Sequence, residues 1–449
     1  MRSYLELVDV PGLINSESSC EAKVSLLQQI ITTGLDAISP FQSKTVCNTE
    51  PRWVSSSLKT LIRKRQTALH KGDLVEFRYL RNQVNRERKN CRAKYYRLKV
   101  EHLKQCSSTN WWKEVKKLSG LSNPKTQDHS FRKSLNHLER TSEMTDVECA
   151  NFINAKFLSP MEHFVPLNPG TACLELVNTS DEILLMTELS TFKKLLALNP
   201  AKAQGPDAVS GWILKENADL LAGPVCDIIN SSYQEKRLPS SWKDADIVPV
   251  PKQKLIIDVN KHLRPISLTS IISKIAEDHI VETYVKPAVL KKIDQHQYGT
   301  RPKSSSTHAL ISMMHKLYVC TDGNGATNRG VLFDFRKAFD LINQDIPLEK
   351  LLMYDILGQV VCWILDFLTF RRQRTKLATD CSSEWRYVPS GVTQGTKLGP
   401  WLFLSMVNDA RNAGFLVSLI DVMQDKLHTV PLLSLLSPPP GSCLGRLEG

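Results

Sequence analysis

The chain has 449 residues, 42% hydrophobic and 23% charged; this is close to globular averages and excludes wholesale disorder, a collagen-like repeat or one continuous coiled coil. At roughly 150 residues per domain, about three domains are expected. The 58 Lys and Arg outnumber the 46 acids and leave a net charge of +12, which directs attention to polyanionic partners.

No stretch reaches 18 uninterrupted apolar residues, so no membrane span is expected. The most apolar, Leu351 to Phe370, carries Asp355 and Asp366 and reads as one packed helix. Glu6 and Asp9 interrupt the place where a secretory leader needs an unbroken apolar run. The chain is therefore expected to be intracellular, nuclear or cytoplasmic. Eleven cysteines without a C-x-x-C pair argue against a zinc site and a disulfide framework.

Residues 1–50 read as an N-terminal linker remnant, and the charge is concentrated just beyond them. Between Lys59 and Lys117 lie 18 Lys and Arg against five acids, more than the whole net excess. Apolar residues recur there at helical spacing (Leu58, Leu61, Ile62, Leu69, then Leu80, Val84, Cys91, Tyr95, Leu98), and Gly72 with Asp73 and Glu76 marks a stop and a new cap. Residues 51–122 are thus expected to form a basic helical hairpin. Arg63, Lys64, Arg65, Arg88, Lys89, Arg92 and Lys94 are its candidate phosphate contacts, while Tyr95, Tyr96, Trp111 and Trp112 are expected to serve core packing rather than base stacking.

Residues 123–190, broken by Pro124, Pro160, Pro166 and Pro169, read as a connector with a short helix from Thr145 to Phe157. After the turn-rich Asn199 to Asp207 come two segments, Trp242 to Lys252 and Lys261 to Leu268, each read as a short apolar strand flanked by a basic residue and a proline. As a hairpin they would present Lys252 and Arg264 on one side, two cations suited to a polyphosphate. The turn Gln297 to Thr307, with Arg301 and Lys303, precedes a helix from His308 to Leu317 and suits backbone phosphate at the helix start.

In Gly330-Val331-Leu332-Phe333-Asp334-Phe335-Arg336-Lys337-Ala338-Phe339-Asp340, an apolar strand ends on Asp334, where a carboxylate can face a cleft and bind a hard divalent cation. A basic run follows, Arg371, Arg372, Arg374 and Lys376. Then Pro389-Ser390-Gly391-Val392-Thr393-Gln394-Gly395-Thr396-Lys397-Leu398-Gly399-Pro400 supplies three glycines for close backbone approach to a flat ligand, before a helix from Trp401 to Asn408.

Taken together, these segments over roughly residues 40–410 resemble the reverse transcriptases of non-LTR (LINE-type) retrotransposons, jockey-like elements in particular. The resemblance implies an α+β fold of right-hand polymerase fingers (191–310) and partial palm (311–410), an antiparallel sheet with packed helices behind the basic helical region. It implies RNA-templated DNA polymerisation, with RNA template, DNA primer and dNTP as partners. Asp334 would be the catalytic residue and the ligand of Mg²⁺, Phe339 would screen the nucleotide sugar, Lys252 and Arg264 would contact the triphosphate, and Gln394 and Gly395 would hold the nascent pair.

The family follows its Gly-x-x-Gln-Gly motif with a hairpin bearing adjacent aspartates, and no Asp-Asp pair occurs in this sequence. Asp421 is the lone candidate substitute. The expectation is a chain truncated after that motif, without thumb or endonuclease, with a divergent disordered tail over 411–449. Such a chain would be defective in catalysis, an RNA or RNA–DNA duplex-binding remnant, or an unstable fragment without function.

Overall fold

The computed structural model describes residues 1–40, 51, 53–103, 111, 112, 114–116, 135, 138, 144–167, 183–253, 255–322, 337–378 and 381–408. They belong to two compact units, Phe41–Phe131 and, forming the other, Met1–Pro40 with Arg132–Gly449.

In the smaller unit two helices pair. Helix α4 (Ser56–His70) starts under Ser55, whose hydroxyl accepts from the Leu58 N–H, and α5 (Leu74–Leu103) starts under Asp73, whose carboxylate accepts from the N–H of Val75 and Glu76. Gly72 turns the chain between them at φ +75. Leu58, Ala68, Leu80 and Val84 are buried. At 15 residues α4 is half the length of α5, and Ser55 at its start already meets Cys91. Residues after Cys91 therefore run past the partner helix. The aromatics are accordingly not core: Tyr96, Trp111 and Trp112 are exposed, paired edge-to-face as Tyr95 with Tyr96 and Trp111 with Trp112.

In the larger unit, the first forty residues correct the linker expectation. Helices α1 (Arg2–Leu7), α2 (Val10–Ser16) and α3 (Cys20–Ile38) bury Leu5, Val10, Ile14, Val24, Leu27 and Ile31 in the main core. They lie against α9 (Ala218–Glu235), with Arg2 paired to Asp219 and Lys23 to Asp227, both at 2.6 Å. Helix α6 (Asp146–Leu158) carries a reciprocal capping box between Thr145 and Glu148. Helices α7 (Glu188–Leu196) and α8 (Gly211–Glu216) precede α9; the four-residue α10 (Ser240–Lys243) follows it.

Among the described residues five strands form the sheet: β1 (Asp244–Pro251), β2 (Leu263–Leu268), β3 (Arg372–Ala378), β4 (Cys381–Ser382) and β5 (Arg386–Tyr387), with α11 (Val259–His262) inside the β1–β2 connection. Their order is β2-β1-β3-β4, with β5 also on β3. The expected hairpin of β1 and β2 is antiparallel, but β1 and β3 run parallel, so the sheet is mixed rather than antiparallel. A long helical crossover makes that pairing possible: α12 (Ile271–Ile280), a π-helical turn Val281–Val285, α13 (Lys286–Lys292), α14 (Ser306–Thr321), α15 (Asp345–Met353) and α16 (Gly358–Leu368). The single helix expected from Leu351 to Phe370 is broken before α16, where Asp355 takes φ +59. Helix α17 (Gly399–Val407) follows the glycine-rich loop. Trp242, Trp363, Tyr233 and Phe367 anchor the core, and the Trp363 indole donates to the Ser232 hydroxyl. Among the described residues no helix is long and apolar enough to cross a membrane.

Candidate functional site

The β1–β2 ladder sets Val250 opposite Arg264 and continues one step beyond the strand, where the Lys252 N–H donates to the His262 carbonyl at 2.8 Å. Lys252, two residues on from Val250, therefore falls on the same side of the ladder as Arg264. Lys252 is exposed and Arg264 half-buried.

The glycine-rich loop is fastened at three places. Gly391 sits at φ +80 against the turn 337–342: a Cβ there would stand 2.6 Å from the Asp340 carbonyl oxygen and 2.9 Å from that of Phe339. Only glycine fits that approach. The Gly391 N–H donates to Ile342 and the Val392 N–H to Phe339, at 3.0 and 2.8 Å. Buried Gln344 closes the same corner, its amide donating to the carbonyls of Gly391 and Leu368. In mid-loop, the Ser267 N–H of β2 donates to the Gln394 carbonyl at 3.1 Å. Gly395, at φ +111, lies so close to β2 that a Cβ would be 2.7 Å from the Ser267 oxygen. At the far end, buried Glu277 accepts from the N–H groups of Lys397 and Leu398. Burial pushes the Glu277 carboxyl up, against the pull of those donors.

These attachments bring Gln394, Gly395 and Phe339 together beside the strand that carries Arg264. Ser267, Asp340, Arg371, Gln373, Val392 and Gln394 line a small, open cleft. Burial pushes the Asp340 carboxyl up to about 6, opposed by the charges of Lys337 and Lys252. Lys337 also donates to the Asn260 side chain at 2.7 Å. Arg371 is buried, its guanidinium bonded to the carbonyls of Phe367 and Trp242, and burial lowers its pKa to about 10. Phe339 is 9% exposed, with its ring 5.3 Å from that of Phe403 on α17.

Other expected contacts lie elsewhere. Arg301 folds its guanidinium onto the Gln295 carbonyl, and Lys303 is exposed at φ +61 before the Ser305 cap of α14. In the other unit, Arg63, Lys64, Arg88, Lys89, Arg92 and Lys94 are exposed and Arg65 is half-buried; the Arg92 guanidinium stands 5.9 Å from the centre of the Tyr96 ring.

Asp334, its apolar strand and the segment 411–449 with Asp421 lie outside the described residues. Among the described residues no three His, Cys, Asp or Glu side chains come together as a metal site. The cleft carboxyl Asp340 feels the charges of Lys337 and Lys252. Asp334, the Mg²⁺ ligand that the resemblance implies, lies outside the described residues, and no step is derived through the ion.

The loop's fasteners, Ser267, Gln344 and Glu277, were not legible as functional positions. Glu277 left a faint signal, since Glu277-Asp278 interrupts an otherwise apolar helical face. Gln344 left none.

Residues 250–413 match the family of reverse transcriptases (RNA-dependent DNA polymerases). Over 330 residues the chain is 23% identical to the RNA-directed DNA polymerase from mobile element jockey of Drosophila funebris, which covers 72% of this chain and 35% of that protein. Over 197 residues it is 27% identical to the probable RNA-directed DNA polymerase from transposon BS of Drosophila melanogaster, covering 42% and 21%. The chain thus spans about a third or less of the curated relatives it matches. The match over 250–413 and the two mobile-element relatives show that this chain is similar to reverse transcriptases.

Proposed function

We propose that this chain holds template, primer and nucleotide as the fingers and palm of a non-LTR reverse transcriptase, and that these 449 residues alone do not catalyse nucleotidyl transfer. The observation that carries the holding role is the attachment of Gln394 and Gly395 to Ser267 of β2, which sets the Gly-x-x-Gln-Gly loop beside the strand bearing Arg264. Lys252 and Arg264 take the triphosphate, Arg as a fork of donors and Lys as a mobile point charge. Phe339 screens the sugar, while Gln394 and Gly395 lie against the nascent pair. The basic hairpin, with Arg301 and Lys303, neutralises backbone phosphates of the RNA template and DNA primer.

The inactivity follows from charge. Nucleotidyl transfer needs attacking and leaving oxygens stabilised together, which such enzymes achieve with acids holding two cations about 3.5 to 4 Å apart. Asp334 is the acid that the family motif supplies here, and the sequence contains no adjacent aspartate pair.

Primer extension on poly-rA/oligo-dT with Mg²⁺ or Mn²⁺, with Asp334→Ala beside the parent chain, tests both parts. The expected result is no extension by either, with the duplex retained and released steeply by salt. Extension that Asp334→Ala abolishes would overturn the inactivity and leave the family intact. Failure to retain duplex at low salt would sink the holding role.

A further inference from the structure

Strand β3 carries a second set of rings and cations, of which Arg372 also borders the cleft. Its odd residues face inward: Gln373 and Thr375 are buried and donate to the Asn154 side chain at 3.0 and 3.4 Å. Arg372, Arg374 and Lys376 therefore occupy the opposite face. The register puts Tyr387 of β5 opposite Arg372, and Trp385, two residues earlier, shares that side. The Arg374 and Arg372 guanidinium groups stand 4.6 and 5.5 Å from the centre of the Trp385 ring.

Both arginines are fixed from behind. Arg372 makes a two-pronged bond to Asp244 at 2.9 and 2.7 Å, and the Arg374 Nε donates to Asp246 at 2.6 Å. Around this rigid ladder two rings face water: Tyr387 is 68% exposed and Phe370 65%. Phe370 holds φ +53, a conformation that a bulky side chain adopts only under constraint, and the Lys243 ammonium lies 5.9 Å from its ring centre. Phe370 lies two residues before Arg372, just ahead of the strand.

We propose that this face binds single-stranded nucleic acid by stacking unpaired bases on Tyr387 and Phe370, beside the Arg372–Trp385–Arg374 ladder. Exposed rings framed by fixed guanidinium planes are the chemistry that receives an unpaired base. On this face three cations, Arg372, Arg374 and Lys376, stand against two acids, Asp244 and Asp246. The net charge is too small for a phosphate clamp. Stacking therefore dominates, and binding here is nearly insensitive to salt, unlike binding at the basic hairpin. The proposal does not rest on polymerase activity or on the roles assigned to the cleft.

Photo-crosslinking of the full chain to a 4-thiouridine oligouridylate at about 0.3 M salt, where purely ionic binding is suppressed, tests it. Cross-links are expected within residues 370–387. The double variant Phe370→Ser/Tyr387→Ser should bind the oligouridylate at least about tenfold more weakly. Tyr387→Phe should bind like the parent. Both positions are exposed, so melting temperatures should stay unchanged; Phe370→Gly, which relieves the left-handed backbone, provides a second variant that folds at least as well and binds more weakly. Cross-links confined to residues 56–103, or a double variant that binds as tightly as the parent and so leaves the rings to a protein partner, would overturn the proposal.

Discussion

Asp340 shows how one half-buried carboxyl reports on the cleft. Its pKa rises from 3.8 to about 6 because burial disfavours the charged form, and Lys337 and Lys252 only partly offset this. Between those two pH values the folded chain holds the proton more tightly than the unfolded chain. Stability from this group is therefore full below pH about 4, falls as pH rises to about 6, and is level above. Asp340→Asn keeps the shape and removes the charge. It should leave stability unchanged near pH 4 and raise it at pH 7 by up to about 3 kcal/mol. Urea midpoints of both chains at pH 4 and 7 measure this; equal midpoints at pH 7 would show that the carboxyl ionises without cost.

Other residues differ in how much they announced themselves. Gly391 and Gly395 were legible because left-handed backbone and sub-3 Å approaches demand a residue without Cβ, and that demand prints glycine in the sequence. Gln344 and Glu277 do equal positioning work through side-chain bonds to main-chain atoms, a role many residue types can fill, so nothing in the sequence flags Gln344 and only a break in an apolar helical face hints at Glu277.

At the scale of elements, β3 was legible as a basic run but not as a strand. The reason is its inner face: Gln373 and Thr375 are buried through hydrogen bonds to Asn154, so the apolar alternation that marks a half-buried strand is missing. The β1–β2 hairpin is legible as short apolar runs flanked by basic residues and prolines. Helices α1 to α3 also carried readable periodicity, with Val24, Leu27 and Ile31 at helical spacing, yet lacked any motif to draw attention. Helix α14 runs the other way: only Ala309 is buried, while Leu310, Ile311, Met314, Tyr318 and Val319 are exposed, so its apolar pattern names a face without showing what covers it.

Joining β3 to β1 is the Asp246 carboxylate, 2% exposed and held by Arg374 at 2.6 Å and Lys376 at 3.6 Å. Removing Arg374 leaves the buried carboxylate to the more distant Lys376, so Arg374→Ala should cost less than the about 3 to 5 kcal/mol of a fully stranded buried charge. Adding Asp246→Asn should recover much of that loss. Urea unfolding of the two single variants and the double gives the coupling directly. Penalties that simply add would mean that the two charges do not depend on each other.

For the whole molecule, charge is the property that sequence conveyed best, because it needs no fold to be counted. The structure adds its distribution. In the hairpin unit, Arg63, Lys64, Arg88 and Lys89 are all exposed, on α4 and on the stretch of α5 before Cys91. Each cation that meets a duplex phosphate contributes about 0.9 to the slope of log affinity against log salt. Replacing all four by Ala should therefore lower the slope for duplex by about 3 to 4 if each makes a phosphate contact, weakening binding similarly for unrelated sequences. The helices should survive, since Ala is a strong helix former and the seam of Leu58, Ala68, Leu80 and Val84 is untouched. Fluorescence anisotropy over a salt series, with helicity checked by circular dichroism, measures both quantities. A slope unchanged in a fully helical variant would place the duplex on another surface and reduce the hairpin to a solvated basic face.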